Sequence, residues 1–269
     1  MMAAVAPPSP LVVVGGGRVG LALSRMGAGL PQVAIQSRSQ HVGDALTAAG
    51  LADAAVPILV IAECPPARRP DLVFCQNGML LPLLDQHGLA SNTAALLYLS
   101  AAADGSYTDG RQTVVCGRWA GSVAALLHRG CVQCRVVERG EFQALMIEKL
   151  LWASIYWLLS AGLNGLPVGA IAQQHGDDAA ELAAELLPLA QRYVLDSGRR
   201  QGLGELQQVE ALTADRVAAS MASYSLSIPA AVPSRDMALA EFAWRNSWFI
   251  SQQRTPAHVA WLARAGLEA

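Results

Sequence analysis

The feature that most constrains the fold of this chain is a glycine-rich loop that follows its first apolar run. Leu11–Val14 has the pattern of a buried β-strand, and an apolar helix is predicted after the loop. The loop between them has the order Gly15, Gly16, Gly17, Arg18, Val19, Gly20. Gly15 permits a tight turn, Gly17 lets the backbone approach a pyrophosphate, and Gly20 lets the helix pack closely. The pattern predicts a dinucleotide-binding β–loop–α unit; a glycine-rich turn in another α/β domain is the alternative.

Short apolar runs alternate with turns as far as about residue 140. The predicted strands are Leu11–Val14, Gln32–Gln36, Pro57–Ala62, Asp71–Cys75, Ala94–Leu99 and Gln112–Cys116. The segments that join the first of them are short and partly helical, which predicts a parallel sheet with crossover connections.

Beyond Gly140 the strand signals stop and helical periodicity replaces them. The predicted helices are Phe142–Ser160, Asp177–Ser197, Gly204–Tyr224, Ser234–Gln253 and Pro256–Ala265. The sequence therefore predicts an α/β fold in two parts. A Rossmann-type parallel-sheet domain, residues 1–140, precedes an all-helical domain, residues 141–269.

The charge balance excludes two classes of protein. Charged residues make up 15% of the 269 positions, and 19 basic against 21 acidic side chains give a formal net charge of -2. Nucleic-acid binding requires a basic stripe, and disorder requires high charge with low hydrophobicity, whereas 53% of this chain is hydrophobic. We expect a globular protein without a nucleic-acid partner.

The cysteines and the first residues indicate a cytoplasmic protein without a metal. Five cysteines are an odd number, which argues against a secreted disulfide scaffold. Cys131 and Cys134 have the spacing of a zinc or redox pair, but no second ligand pair follows them, so we expect no metal site. Residues 1–10 contain no basic residue and three prolines, unlike a signal peptide.

One stretch raises the question of a membrane. No charged residue lies between Leu150 and Ala172, which is long enough to cross a bilayer. The stretch contains Ser154, Ser160 and Asn164. The charged residues Glu148 and Lys149 immediately precede it. We expect a helix buried in a helical core and no membrane; a membrane anchor is the alternative.

The end of the second predicted strand indicates which dinucleotide binds. Domains that prefer NAD place Asp or Glu there, where the carboxylate binds ribose hydroxyls. In this chain Ser37 and Arg38 follow the strand, and no acid is present. A guanidinium can hold a 2'-phosphate with two hydrogen bonds, so the sequence favours NADP. An ordinary exposed charge is the alternative reading of Arg38.

Lys149 is the only lysine in the chain, among 19 basic residues. Arginine replaces lysine readily on a solvated surface, so a single retained lysine indicates a need for a compact, titratable ammonium group. Its reference pKa of about 10.4 would keep it protonated at neutral pH. Chance retention is the alternative.

Several motifs occur in an order that resembles the ketopantoate reductase (2-dehydropantoate 2-reductase) family. They are the glycine loop, Asn77-Gly78-Met79 after a predicted strand, Glu148-Lys149 in the first helix of the second half, Ser220-Met221, and Glu241 with Asn246. The resemblance covers nearly the whole chain. It implies a cytoplasmic, NADPH-dependent reductase of a 2-keto acid, by default ketopantoate in pantothenate biosynthesis, with any homodimer formed through the helical domain.

The resemblance also implies a role for each motif residue. It assigns the pyrophosphate to Gly15–Gly20, the nicotinamide end to Asn77, general acid catalysis to Lys149, substrate contacts to Ser220 and Asn246, and a hydrogen-bonding role near substrate and cofactor to Glu241. Taken singly, Asn77 could be a turn residue, Ser220 a packing serine and Glu241 an exposed helix charge.

The chain departs from the family at three polar positions. The family places asparagines four and eight residues after its lysine, where this chain has Ala153 and Trp157, and a third in a Pro-Asn-Gly turn, where it has Val168. In addition, Pro65 to Pro70 is too short for a crossover helix. Ketopantoate is therefore expected to be a poor substrate.

Two alternatives to ketopantoate reduction remain open. One keeps the scaffold and reduces a bulkier or more apolar keto acid or imine. The other is a dinucleotide-binding protein without turnover, in which the helical half is a partner surface.

Overall fold

The computed structural model describes residues 10–35, 42–51, 56–60, 70–75, 77–204 and 206–267. The chain divides into two compact units. The first consists of Met1–Gln76 with Leu84–Phe142, and the second of Asn77–Leu83 with Gln143–Ala269. A short segment after the fourth strand thus belongs with the helices that follow much later in the chain.

In the part of the chain that the structure describes, the first unit is built on a seven-stranded sheet. Its strands and the strands of a small hairpin are β1 Leu11–Val14, β2 Gln32–Ile35, β3 Ile58–Val60, β4 Leu72–Phe74, β5 Thr93–Leu96, β6 Leu99–Ala101, β7 Tyr107–Asp109, β8 Thr113–Cys116 and β9 Cys134–Val136. The helices of this part are α1 Arg18–Met26, α2 Val42–Ala48, α3 Leu81–His87 and α4 Ala120–Arg129.

The sheet has the strand order β2-β1-β3-β4-β5-β8-β9. The first five strands are parallel, β8 runs antiparallel to β5, and β9 is parallel to β8. All four side chains of β1 and all three of β3 are buried, as expected of strands covered on both faces. The predicted α/β class, a parallel sheet followed by a helical region, is confirmed.

Three strands were not predicted, for a shared reason. The hairpin strands β6 and β7 and the edge strand β9 are three residues each and contain no buried residue, so they show no apolar run. The predicted strand Ala94–Leu99 instead ends at Leu96, because Tyr98 N–H donates to Thr113 Oγ1 at 2.9 Å, outside the β5–β8 ladder.

The second unit is helical. Its elements are α5 Arg139–Gly162, which begins in the first unit, α6 Val168–Gln174, α7 Gly176–Gln201, α8 Gln207–Glu210, α9 Ala214–Ser227, α10 Arg235–Ala240, a 3-10 turn at Phe242–Trp244, α11 Asn246–Gln252 and α12 Pro256–Arg264. Helix α9 packs against α6 and α7, and α12 packs against α7. The long predicted helices α5 and α7 are present, each extended by several residues.

Two predicted helices are interrupted. The predicted helix Gly204–Tyr224 is two helices, α8 and α9, because Thr213 is extended and its side chain accepts from Arg216 N–H as an N-terminal cap of α9. The predicted helix Ser234–Gln253 is interrupted by the 3-10 turn and by the non-helical backbone of Arg245. Helical periodicity on both sides of a break conceals the break in the sequence.

Helix α5 is long and apolar enough to cross a bilayer by length and composition, with a mean hydropathy of 1.3 in its most apolar window. Within the structure, 67% of that window is buried. Trp152 on this helix donates to Ser225 Oγ at 2.9 Å and packs edge-on against Tyr224 of α9. These contacts agree with the predicted core helix.

A fully buried histidine anchors the end of the second unit. His258 Nε2 lies 2.9 Å from Asn246 Oδ1, and Asn246 Nδ2 donates to Ser154 O at 3.3 Å. The imidazole therefore carries its hydrogen on Nε2, and Nδ1 has no partner within the described part of the chain. Burial lowers the pKa of His258 to about 4, although the Glu185 carboxylate opposes the shift.

This buried imidazole predicts a loss of stability in mild acid. Above pH 6.5 the imidazole is neutral in the folded and the unfolded chain. As the pH falls from 6.5 to about 4, only the unfolded chain binds the proton, so the free energy of unfolding decreases by about 3 kcal/mol. Denaturant unfolding at stepped pH measures this decrease.

His258→Gln is the control, since its amide can still donate to Asn246 but does not titrate. The variant is expected to lose the additional pH dependence between 6.5 and 4. Identical pH profiles in the parent and the variant would contradict the assignment.

Candidate active site

Lys149 occupies the middle of a polar cluster in the second unit. It projects from α5, and its Nζ donates to Asn77 Oδ1 at 2.8 Å. These two residues are 72 positions apart in the sequence and were both predicted site residues. The structure therefore brings together the predicted proton donor and the predicted nicotinamide-end residue.

The loop that carries Asn77 is fixed by the backbone of a distant segment. Met79 N–H donates to Trp244 O at 2.7 Å, and Gly78 has a φ of +89°. A Cβ atom on Gly78 would lie 2.8 Å from Trp244 O and 2.9 Å from Trp244 Cβ, so the close approach requires glycine here. The 3-10 turn thus determines where Asn77 is presented to Lys149.

Burial changes the acidity of Lys149 strongly. Its pKa falls from 10.5 to about 7. Loss of solvation is the largest cause, the positive charge of Arg245 adds to the decrease, and the Glu241 carboxylate opposes it. At neutral pH the group therefore exchanges between ammonium and amine, which suits a proton donor better than the permanently charged lysine expected from the sequence.

Glu241 is paired with an arginine that the sequence analysis did not identify. Arg245 Nη2 donates to Glu241 Oε2, and the two side chains are 15% and 31% exposed, respectively. Arg245 precedes Asn246 in the motif, and its spacing of four from Glu241 is the one signal that could have drawn attention to it. The pair places one negative and one positive group near Lys149.

Ser220 is engaged within the helical unit. Its Oγ donates to Glu148 Oε2 at 2.7 Å, which joins α9 to α5. A hydroxyl has one hydrogen to donate, so this contact occupies the donor that a substrate carboxylate would need. The substrate-binding role of Ser220 stays a prediction.

Asn246 lies in the core. It is fully buried, and both polar atoms of its amide are bonded, to Ser154 O and to the His258 ring. The predicted substrate contact by Asn246 also stays a prediction, and in this structure the amide has a packing role.

The side chains at the three positions that depart from the family are apolar, and each is buried or half-buried. Val168 is fully buried at the start of α6, and Ala153 is half-buried on α5. Trp157, one turn further along α5, is 3% exposed and packs edge-on against Phe242 with ring centroids 6.2 Å apart. Its Nε1 is buried without a partner among the described residues.

The glycine loop lies in the first unit at the carboxyl end of β1. Since β1 lies between β2 and β3, this end is the switch point of the parallel sheet, where such sheets bind ligands. Gly15 has a φ of +116°, which favours glycine.

The exposed part of the loop leaves room for a ligand. A Cβ atom on Gly16 or Gly17 would meet nothing within 4 Å, and both residues are exposed. Gly17 caps α1 and has no side chain that could bond to the amide donors at the helix start, which are the groups that bind phosphate in such loops. These observations fit a dinucleotide pyrophosphate. Ser37 and Arg38, the predicted 2'-phosphate contacts, lie outside the described residues.

Comparison with known proteins gives matches only among solved structures. No protein-family model matches the chain. No curated protein matches it either.

The solved structures that match extend over almost the entire chain. A PanE/ApbA family ketopantoate reductase from Ralstonia eutropha JMP134 is 20% identical, covers 96% of this chain and 97% of its own, and has a TM-score of 0.57. A dimeric ketopantoate reductase from Staphylococcus aureus is 13% identical, covers 96% and 98%, and has a TM-score of 0.59. A D-mandelate dehydrogenase in complex with NADH and anilino(oxo)acetate is 12% identical, covers 96% and 97%, and has a TM-score of 0.60.

The class of fold follows from this likeness. The chain has a Rossmann-type sheet followed by a helical region, as these dinucleotide-dependent oxidoreductases do. More narrowly, it has the fold of the ketopantoate reductases, and the resemblance indicated by the sequence motifs is confirmed at the level of the fold.

The Gly78 contact generates a prediction about the loop that carries Asn77. Gly78→Ala is expected to lower the free energy of unfolding by about 1–3 kcal/mol, because alanine is strained at positive φ and its Cβ collides with the Trp244 backbone. Denaturant unfolding measures the change. Gly176→Ala, in open space at the start of α7, is the matched control and should leave stability unchanged or slightly raised. Equal effects of the two substitutions would refute the close-packing argument.

Proposed function

We propose that the protein is a nicotinamide-dinucleotide-dependent reductase of 2-keto acids. The observation that carries the proposal is the half-buried Lys149–Asn77 hydrogen bond, with Glu241 close enough to act on the pKa of the lysine, in a chain with the ketopantoate reductase fold. Lysine, asparagine and glutamate are the residues that the family motif supplies for this chemistry.

Reduction of a keto group requires a hydride, a proton and stabilisation of the negative charge that develops on the keto oxygen. The bound dinucleotide supplies the hydride. Lys149 stabilises the developing alkoxide and donates its Nζ proton to it. Asn77 Oδ1 accepts from Nζ and so fixes the direction of the ammonium group. Glu241 favours the protonated form of Lys149, because its negative charge opposes the effects of burial and of Arg245.

The glycine loop and the second strand support NADPH as the preferred dinucleotide. Gly15–Gly20 would hold the pyrophosphate with loop and helix-terminal amides. Ser37 and Arg38 would hold the 2'-phosphate, and that part of the proposal rests on the sequence alone. Residues 1–140 would then be the NADP-binding domain, and residues 141–269 the substrate and dimerisation domain.

The particular keto acid is proposed to differ from ketopantoate. Where the family places asparagines, this chain has apolar side chains, among them Trp157, which packs edge-on against Phe242, and the buried Val168. This observation favours the second candidate, a more apolar keto acid or imine. The D-mandelate dehydrogenase complex supports the idea that the fold accommodates such substrates. We further propose a cytoplasmic homodimer, by analogy with the dimeric enzyme from Staphylococcus aureus.

A panel of 2-keto acids assayed with NADPH and NADH tests the proposal. We expect turnover of at least one apolar keto acid, tighter binding of NADPH than of NADH, and a kcat/KM for ketopantoate below about 10⁴ M⁻¹s⁻¹. NADPH binding without turnover of any keto acid or imine would instead indicate a non-catalytic dinucleotide-binding protein. Efficient ketopantoate reduction would show that the apolar positions do not exclude it.

Arg38→Ala serves as the cofactor variant in the same assay. It should remove most of the NADPH preference, since a charge-assisted hydrogen bond contributes about 1.5–3 kcal/mol. Equal affinities for the two dinucleotides in the parent protein would contradict the assignment of Arg38.

Lys149→Arg tests the proton donor directly. Turnover should fall by about 10²–10⁴-fold, because an arginine at this position does not release its proton at neutral pH. In the parent, the rate of reduction should fall as the pH rises through about 7, since the ammonium form is the donor. The circular dichroism spectrum and NADPH affinity should be unchanged.

Glu141→Gln on the same helix is the control for Lys149→Arg. It removes only an exposed ion pair with Arg135 and should leave turnover unchanged. Activity within a few-fold of the parent in Lys149→Arg would show that the lysine is structural.

A further inference from the structure

We infer that Arg245 is the substrate carboxylate-binding residue of this site. This inference rests on the proposed function, because it assigns the carboxylate of the 2-keto acid to Arg245 and its keto oxygen to Lys149. It adds to the site a residue to which the motif resemblance gives no role.

The Arg245 guanidinium is only partly satisfied by the protein. Arg245 is only 15% exposed, and one of its nitrogens, Nη2, is bonded to Glu241. Its Nε is buried and has no hydrogen-bond partner within the described part of the chain. A guanidinium has five N–H donors, and leaving such a donor unpaired in the interior is unfavourable. An arginine kept for structure alone would be expected to have its buried donors satisfied.

The charges that act on Lys149 do not cancel when the lysine is protonated. The groups that shift its pKa are Arg245, which carries a positive charge, and Glu241, which carries a negative one. With Lys149 protonated, this cluster has one positive charge in excess. A 2-keto acid brings one carboxylate, which neutralises the excess.

The two predicted substrate contacts, Ser220 and Asn246, are already engaged within the helical unit. Ser220 donates its hydrogen to Glu148, and Asn246 donates to Ser154 O. The family asparagine positions are apolar. Among the described residues whose charges act on the pKa of Lys149, Arg245 is the positive one, and its Nε has no hydrogen bond to another described side chain or to the described backbone.

Geometry makes arginine suited to this role. The planar guanidinium presents pairs of N–H groups that match a carboxylate, and its charge does not depend on pH in the working range. Glu241 holds one edge of the guanidinium through Nη2 and so restricts its orientation. Glu241 is in this respect a positioning residue for Arg245 as well as a charge that acts on Lys149.

Arg245→Met and Arg245→Lys test the inference when each variant is assayed with a charged substrate and with its uncharged ester. The assay compares a 2-keto acid from the panel with its methyl ester at pH 6, where Lys149 is protonated in the parent and the variants. We expect Arg245→Met to raise KM for the acid by about 10- to 100-fold, as for loss of a charge-assisted contact, and to leave KM for the ester within about threefold. Arg245→Lys should recover part of the loss. Equal changes for acid and ester would overturn the inference.

A measurement without turnover separates this inference from the proposed function. Since Lys149 is the only lysine, reductive ¹³C-methylation gives an NMR signal for its amine besides that of the amino terminus. Titration of this signal should show a pKa of about 7 in the parent and a higher pKa in Arg245→Met, because one positive charge is removed. A purely structural role of Arg245 outside the cluster predicts no change.

Oxamate, an unreactive monoanion shaped like a small 2-keto acid, is the ligand for the same titration. It should raise the pKa of Lys149 in the parent and bind at least tenfold more weakly to Arg245→Met. Arg235→Met, on an exposed arginine of α10, is the control and should bind oxamate as the parent does. If no keto acid is reduced but oxamate binding still depends on Arg245, the proposed function fails and the carboxylate site stands. If oxamate binds equally to parent and Arg245→Met, the carboxylate site fails.

Discussion

The desolvated ammonium group of Lys149 is the constraint on which the second unit depends. A buried charge without compensation is strongly unfavourable, and no charged residue follows Lys149 on its helix, from Leu150 to Gly162. The structure compensates with an amide oxygen at 2.8 Å and with the Glu241 carboxylate, which come from segments distant in sequence. Each of these groups needs its own support, and the backbone contact between Met79 and Trp244 ties the two segments together.

This arrangement explains why a segment of the sheet half belongs to the helical unit. Asn77–Leu83 follows β4 in the chain but belongs to the same compact unit as Gln143–Ala269. The contacts that hold it there are the Lys149–Asn77 hydrogen bond and the close approach of Gly78 to Trp244. A division of the chain by sequence style alone at residue 140 therefore separates Asn77 from the residues that it contacts.

The pair of Glu241 and Arg245 sets the chemistry of the lysine. Burial and Arg245 together lower the pKa of Lys149, whereas Glu241 raises it, and the result lies near neutrality. The effect of Arg245 is larger than that of Glu241, so the pair makes Lys149 more acidic than burial alone would, whereas a lysine in water would hold its proton through the whole physiological range. The half-buried ion pair thus regulates an acid without contributing a reactive group of its own.

The sequence by itself determined the features that depend on local patterns. The buried strand β1 with its glycine loop, the change from sheet to helix, and the long helices α5 and α7 follow from periodicity and from glycine stereochemistry, which are properties of neighbouring residues. It also supplied Asn77, Lys149 and Glu241 as members of one site, through the order of the motifs. The short strands β6, β7 and β9 were missed because exposed three-residue strands have no apolar run.

Only the tertiary structure decided which groups meet and what state they are in. In the folded chain Asn246 is buried and bonded to His258, and the Ser220 hydroxyl donates to Glu148. The charge of Arg245 is close enough to lower the pKa of Lys149. Folding also lowered the pKa of Lys149 far below the value expected for a solvated lysine. The reason is physical: desolvation and charge–charge interaction depend on distances in space, and residues 72 or 92 positions apart in the sequence become hydrogen-bonded partners only when the chain has folded.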